Sequence, residues 1–217
     1  MRGLLCIVLL APAAWGQVAV PANRNYVTHE GRERMIQTLG DESRPANLKM
    51  DELVAAIGVE AGSTVVDVGT GAGAMLPFLS KAVDGSGKVI AEDIYQDFLD
   101  AAKENATKHG LTNVEFVLGT EKDPKIPAGS ADLALIVDAY HHFNYPAEML
   151  AGIHRGLKPG GRLVVVDYYK AGFRDPAHIR LDKVDVVREI ASHGFRLLSN
   201  HDHIPGIQYR LEFRTER

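Results

Sequence analysis

The chain has 217 residues, 46% of them hydrophobic, and a formal net charge of −4 at pH 7. That size and apolar fraction suit one domain around a single core, and the negative balance argues against a general nucleic-acid binder, which needs a basic surface to neutralise phosphates. A lone cysteine, Cys6, excludes an intrachain disulfide framework and a cysteine-built zinc site.

Arg2 is followed by the apolar run Leu4–Ala11, too short to span a bilayer as a stable helix, and then by Pro12 and Ala14-Trp15-Gly16. Small residues one and three places before Gln17 complete the order of a secretory signal. The expectation is a signal over 1–16, a mature chain starting at Gln17, an exported (periplasmic or secreted) location and no stable membrane insertion after cleavage. A misassigned start codon or a buried first helix in a cytoplasmic protein is the alternative. Residues 17–47 read as a polar, irregular extension, helical only over Glu30–Leu39, with a turn at Gly40–Pro45. The main domain is expected over 48–217.

From Leu48 onward, helical spacing and strand-like runs alternate. Leu53, Ala56 and Ile57 mark a helix that Gly58 can end. Thr64–Val68 is a short β-branched strand, Ala72–Ala82 a helix with Leu76 and Leu79 on one side, and Lys88–Ala91 the second strand. Phe98, Ala101, Ala102, Asn105 and Ala106 define a helix face, Val114–Leu118 a third strand, and the almost wholly apolar Ala131–Val137 a strand buried on both faces. A helix over Ala147–Leu157 and a strand over Arg162–Val166 follow. This β-α-β-α order predicts a mainly parallel sheet with helices on both faces. Near the end, Asp182 can cap a helix whose apolar face is Leu181, Val184, Val187, Ile190 and Ala191. The strands Phe195–Leu198 and Ile207–Phe213 are joined by about eight residues around Pro205-Gly206, too few for a parallel crossover, so they should pair antiparallel.

The sharpest local signal is Val65-Val66-Asp67-Val68-Gly69-Thr70-Gly71-Ala72-Gly73, a buried strand entering a glycine-rich turn before a helix. Such glycines let the backbone turn sharply and let a ligand press against it. About twenty residues later the second strand ends in Ala91-Glu92-Asp93, where a carboxylate can accept hydrogen bonds from ribose hydroxyls. Asp93 is the candidate for that role, and Glu92 reads as a solvated acid.

With these motifs the sequence resembles the class I, Rossmann-like S-adenosylmethionine-dependent methyltransferases. The resemblance rests on VVDVGTGAG (65–73), VIAED (89–93), DLALIVDAYHHF (132–143) and LKPGGRLVVVDY (157–168), in the family's order across roughly 48–213. It implies a doubly wound, mostly parallel seven-stranded sheet of order 3-2-1-4-5-7-6 with strand 7 antiparallel. It also implies S-adenosyl-L-methionine as methyl donor; no aromatic-rich or basic insertion marks a protein, RNA or lipid substrate, so a small molecule is the default acceptor. Carried over by position, Asp67, Gly69, Thr70, Gly71 and Gly73 would hold the methionine part of the cofactor, Asp93 the ribose, and Ile94 the adenine face. In the family an acid often directly follows a glycine after the third strand. Here Gly119 is followed by Thr120 and then Glu121, so both stand as candidates at the adenine amine.

Asp138 is expected near the transferred methyl, and Asp138, Tyr140, His141 and His142 are the candidate catalytic residues at the end of the fourth strand. Histidine is the side chain whose ordinary pKa suits a base near neutral pH. Side-chain alternation along extended backbone would turn His141 to the acceptor and leave Tyr140 and His142 to pack on the sheet. No metal site is expected: Asp167 lies inside an apolar run, His201-Asp202-His203 reads as a solvated turn, and His178 and His193 read as loop residues. Two other readings remain open. One is a nicotinamide-dependent oxidoreductase, disfavoured because Tyr168-Tyr169-Lys170 lacks the Tyr-x-x-x-Lys spacing. The other is a non-catalytic exported protein that binds S-adenosylmethionine or a nucleoside on the same fold.

Overall fold

A computed structural model describes residues 16–216. The secretory signal expected over 1–16 therefore lies, apart from Gly16, outside the described residues. Among the described residues four helices precede the first strand: α1 (Val20–Asn23), α2 (His29–Leu39), α3 (Arg44–Asn47) and α4 (Met50–Ile57). Then come β1 (Thr64–Val68), α5 (Leu76–Val83), β2 (Lys88–Asp93), α6 (Gln96–Lys108), β3 (Val114–Leu118), β4 (Ala131–Val137) and α7 (Pro146–Gly156). The chain ends with β5 (Leu157–Tyr168), α8 (Lys183–Ala191), β6 (Phe195–Ile204) and β7 (Gln208–Thr215). Short 3₁₀ turns occupy Arg24–Tyr26, Tyr140–His142 and Lys170–Gly172.

The seven strands form one sheet in the order β3-β2-β1-β4-β5-β7-β6. All neighbours are parallel except β7, which runs antiparallel to both β5 and β6. The period-2 geometry of strands sorts the central residues to two faces. Val65, Leu133, Leu135, Val164 and Val166 pack with Met50, Leu53, Leu76, Leu79 and Ala102 under α4, α5 and α6. Val66, Ala134, Ile136, Leu163 and Val165 pack with Leu150, Ile153, Val186 and Ile190 under α7 and α8. No helix among the described residues is long and apolar enough to cross a membrane.

The expected sheet order and the antiparallel last strand are observed. Several local expectations are corrected. The extension over 17–47 contains α1 and α3 as well as α2, each four residues long and opened by a proline in its first turn. Strand β5 begins at Leu157, before the Pro159-Gly160-Gly161 segment, with a register shift against β4 between Ala131 and Leu133. The final hairpin turn is tight, because β6 runs on to Ile204 and pairs with Gln208. His201, Asp202 and His203 therefore lie within a strand, and His203 Nε2 contacts the Leu48 carbonyl at 2.7 Å. On α8, Val186 rather than Val184 faces the core: Val184 is 57% exposed and Val186 is buried.

Candidate active site

β1 pairs with β2 on one side and β4 on the other, so the sheet order reverses at β1. An open α/β sheet leaves a crevice at the carboxyl ends of its strands at such a point. Here that crevice is a cavity of about 1000 Å³ counting its mouth, at the top of the range for small-ligand sites. Its floor is the glycine loop after β1, one wall the end of β2, and the opposite wall the turn after β4.

The loop is tied down by its own backbone. Gly69 and Thr70 both donate N–H groups to the Glu92 carbonyl, at 2.9 and 2.8 Å, and the Thr70 hydroxyl donates to Asp67 at 2.7 Å. Gly71 has a φ of +54°, the left-handed region that glycine adopts freely. Its N–H donates to Asp93 Oδ2 at 3.0 Å, while Asp93 Oδ1 accepts from Tyr95 N–H at 3.0 Å. Gly73 serves a different purpose from the rest of the loop. It does not line the cavity, and a Cβ there would lie 2.9 Å from Leu76 and 3.1 Å from Ala102, so it allows α5 and α6 to close on each other.

Three carboxylates surround this loop in near-complete burial. Burial pushes Asp67 and Asp93 each up to about 6. Burial and the neighbouring Asp93 also push Glu92 well above the usual carboxylate range. Glu92 is not the solvated acid expected: it is 1% exposed, accepts from Gly69 N–H at 3.3 Å, and its Oε1 has no hydrogen-bond partner. Thr120 and Glu121 are separated by the structure. Thr120 bridges to Asp123 within its own turn and stays off the cavity, whereas Glu121 lines it and accepts from Asn144 Nδ2 at 2.8 Å.

Across the cavity, Asp138 follows β4 with a φ of +54°. Its carboxylate is held from three directions: Arg44 Nη2 at 2.8 Å, Gln208 Nε2 at 2.5 Å and the Tyr168 hydroxyl at 3.2 Å. Burial raises its pKa and the Arg44 guanidinium opposes that rise. The next residues form a 3₁₀ turn, which points them in three directions. Tyr140 leaves the site, is 1% exposed, and donates its hydroxyl to Glu189 at 2.6 Å. His141 turns behind the wall, where Nδ1 meets Asp167 Oδ1 at 2.7 Å and its backbone N–H meets Oδ2 at 3.0 Å. His142, not His141, is the imidazole that lines the cavity.

The N-terminal extension roofs the cavity with Asn23, Tyr26, Leu39 and Arg44, none of them a candidate from sequence. Asn23 grips His142 twice: its Nδ2 donates to the His142 carbonyl at 2.9 Å, and its Oδ1 meets Nδ1 at 2.9 Å. Tyr26 packs edge-on against the same imidazole, with ring centroids 4.8 Å apart.

Comparison with known proteins agrees with this layout. The methyltransferase-domain family matches residues 65–161, the stretch from β1 to the start of β5. A solved S-adenosylmethionine-dependent methyltransferase from Aquifex aeolicus superposes with a TM-score of 0.79 at 28% identity, covering 84% of this chain and 97% of that one. Over β1 to the start of β5, and over most of its length in structure, the chain is similar to S-adenosylmethionine-dependent methyltransferases. Among curated relatives, the ubiquinone/menaquinone biosynthesis C-methyltransferase UbiE of Hahella chejuensis is 32% identical over 114 residues, 52% of this chain and 46% of the relative. The chain thus spans about half the length of the curated relatives it matches. The cyclase SpnF has the same fold, with a TM-score of 0.67 at 20% identity over 78% of this chain and 81% of its own. The architecture alone therefore does not fix the reaction.

The methyl donor of the family is S-adenosylmethionine, and the cavity suits it chemically. The donor carries two ribose hydroxyls, an ammonium and a sulfonium, all hydrogen-bond donors or positive charges. Asp67, Asp93 and Glu121 offer acceptors and negative charge on the cavity wall, and the buried Glu92 Oε1 has no hydrogen-bond partner within the protein.

Proposed function

We propose that the protein transfers a methyl group from S-adenosylmethionine to a small-molecule acceptor. The observation that carries this reading is the set of buried acids around the glycine loop, facing His142 and Asp138 across one cavity. Asp93 takes the ribose hydroxyls, Ile94 lies against the adenine, and Glu121 receives the adenine amine. Asp67, Gly69, Thr70 and Gly71 hold the methionine part. Asp138 sits beside the methyl group.

The donor supplies an electrophilic methyl on sulfur. A nucleophilic atom of the acceptor bonds to that carbon as the carbon–sulfur bond breaks, its electron pair going to sulfur, and the acceptor's proton leaves. The protein contributes alignment and a place for that proton. Because the Asn23 amide nitrogen is engaged with the His142 carbonyl, its oxygen faces Nδ1 and fixes the proton there. Nε2 then carries the lone pair. Burial lowers the pKa of His142 well below the usual histidine range, so the ring is neutral at pH 7 and available as the base. The UbiE relatives are named as C-methyltransferases. A ring carbon activated by a hydroxyl and a plain hydroxyl both require such a base.

Calorimetry tests the donor site. The full chain should bind S-adenosylhomocysteine and not NADH. Asp93→Ala should weaken binding by roughly 10–100-fold, the loss of one charge-assisted hydrogen bond. Gly71→Val should weaken it at least as much, by adding a side chain in a left-handed position that faces the donor. Unchanged affinity in both variants, with circular dichroism showing both folded, would overturn the assignment.

A further inference from the structure

At the cavity wall and just behind it, three imidazoles converge from two segments of chain. His141 and His142 come from the turn after β4, and His178 from the loop between β5 and α8. Each offers one ring nitrogen, and the three nitrogens lie within 4.8 Å of one another. The ring centroids are 4.2 Å apart for His141–His142, 5.0 Å for His141–His178 and 5.3 Å for His142–His178.

The hydrogen bonds around the cluster prepare its nitrogens. Asp167 is 1% exposed and receives His141 Nδ1–H, leaving the lone pair on Nε2. Asn23 does the same for His142, as its own two bonds require. His178 is held by stacking on Phe173, with centroids 5.0 Å apart and planes 10° from parallel.

We propose that His141, His142 and His178 bind one divalent transition-metal ion of the zinc class. Imidazole nitrogen selects zinc, copper, nickel or iron over magnesium or calcium, which take oxygen. Three protein ligands are the count found in sites that leave a fourth position to water or substrate. A carboxylate on the far nitrogen of a ligating histidine, as Asp167 is placed, is the usual outer support of such a site. Bonds of about 2.0–2.1 Å in a tetrahedral site put nitrogens roughly 3.4 Å apart, so the rings must close by about 1 Å or a little more. The position of His178 on a loop makes that closure accessible.

The proposal deepens the methyl-transfer reading at one point. The Nε2 pair of His142 cannot serve both a metal and a proton. With an ion held there, His142 would be a ligand rather than a base, and the ion would supply instead the acidity of a coordinated acceptor oxygen, whose proton would pass to solvent.

Untagged full-length protein, stripped with chelator and titrated with Co²⁺, should take up one equivalent, develop the visible absorption of tetrahedral cobalt, and lose it on adding Zn²⁺. His178→Ala and His142→Ala should each abolish the absorption. Asp167→Asn should weaken binding by about 10–100-fold. His109→Ala, at an exposed histidine after α6, should change nothing. No saturable cobalt binding, or equal binding by folded His178→Ala and His142→Ala, overturns the site and leaves an imidazole cluster only. Titrating S-adenosylhomocysteine into the same metal-free samples separates the two readings: donor binding without metal binding rejects only this site, and the reverse rejects only the donor site.

Discussion

One residue step separates two histidines with opposite surroundings. His141 is enclosed with Asp167, their side chains 4% and 2% exposed, while His142 faces the cavity. His141→Ala leaves the Asp167 carboxylate buried without its partner, and breaking such a pair is expected to cost about 3 kcal/mol of stability in urea unfolding. His142→Ala removes a ring from a cavity wall and should cost clearly less, with S-adenosylhomocysteine affinity within a few-fold of the parent. Equal destabilisation by the two would contradict this division. Extended backbone, where neighbours alternate, would turn His141 to the acceptor; the segment is a 3₁₀ turn, and alternation does not apply. The glycine loop and Asp93 were legible because their chemistry lies within one strand-turn-helix unit. The burial of Glu92, by contrast, is set by its place between Gly69 and Gly119: a Cβ on Gly119 would come within 1.9 Å of Glu92 Oε1. Arg44 and His178 carry no local mark, since their partners are far away in the chain.

The elements of the sheet were readable for a physical reason. β4 is buried on both faces and apolar at every position but Asp132, and β1 is short and β-branched, so their limits coincide with their composition. α1 and α3, at four residues each, are too short for a helical period to register. The face of α8 was misread because both Val184 and Val186 suit a helical stripe, and only packing chooses between them. The N-terminal helices act on the site through Arg44, whose side chain is 20% exposed and paired with an Asp138 side chain 6% exposed. Arg44→Ala leaves that carboxylate without its cation and pushes its pKa further up. In a double-mutant cycle with Asp138→Asn, the two changes should be non-additive by about 1–3 kcal/mol in denaturant unfolding. Additive costs would mean that the N-terminal segment is held over the cavity by its other contacts, such as Arg32 on Asp97 at 2.7 Å.

At the scale of the whole molecule, the site stores an electrostatic cost that ligand binding can relieve. Asp67 and Asp93 have folded pKa values near 6 against an ordinary 3.8. A raised carboxylate pKa means that the folded state holds the proton more tightly, so the stabilising contribution is complete below about pH 4 and is lost as pH rises through 6. Each group amounts to a penalty on the order of 3 kcal/mol at neutral pH. A ligand that donates hydrogen bonds to the ionised forms should release protons on binding. S-adenosylhomocysteine affinity is therefore expected to rise from pH 5 to pH 7 and then level off, with proton release near pH 6 measurable by calorimetry in buffers of different ionisation heat. An affinity flat across that range would remove these carboxylates from the donor contacts. The clamp on Asp138 also ties the two ends of the chain to its middle. The stretch that matches the family ends at residue 161 and begins at 65, yet the groups that clamp Asp138 include Arg44 before it and Gln208 after it. Substitutions confined to the two flanks of the chain would therefore alter the surroundings of Asp138 while leaving the glycine loop and Asp93 untouched.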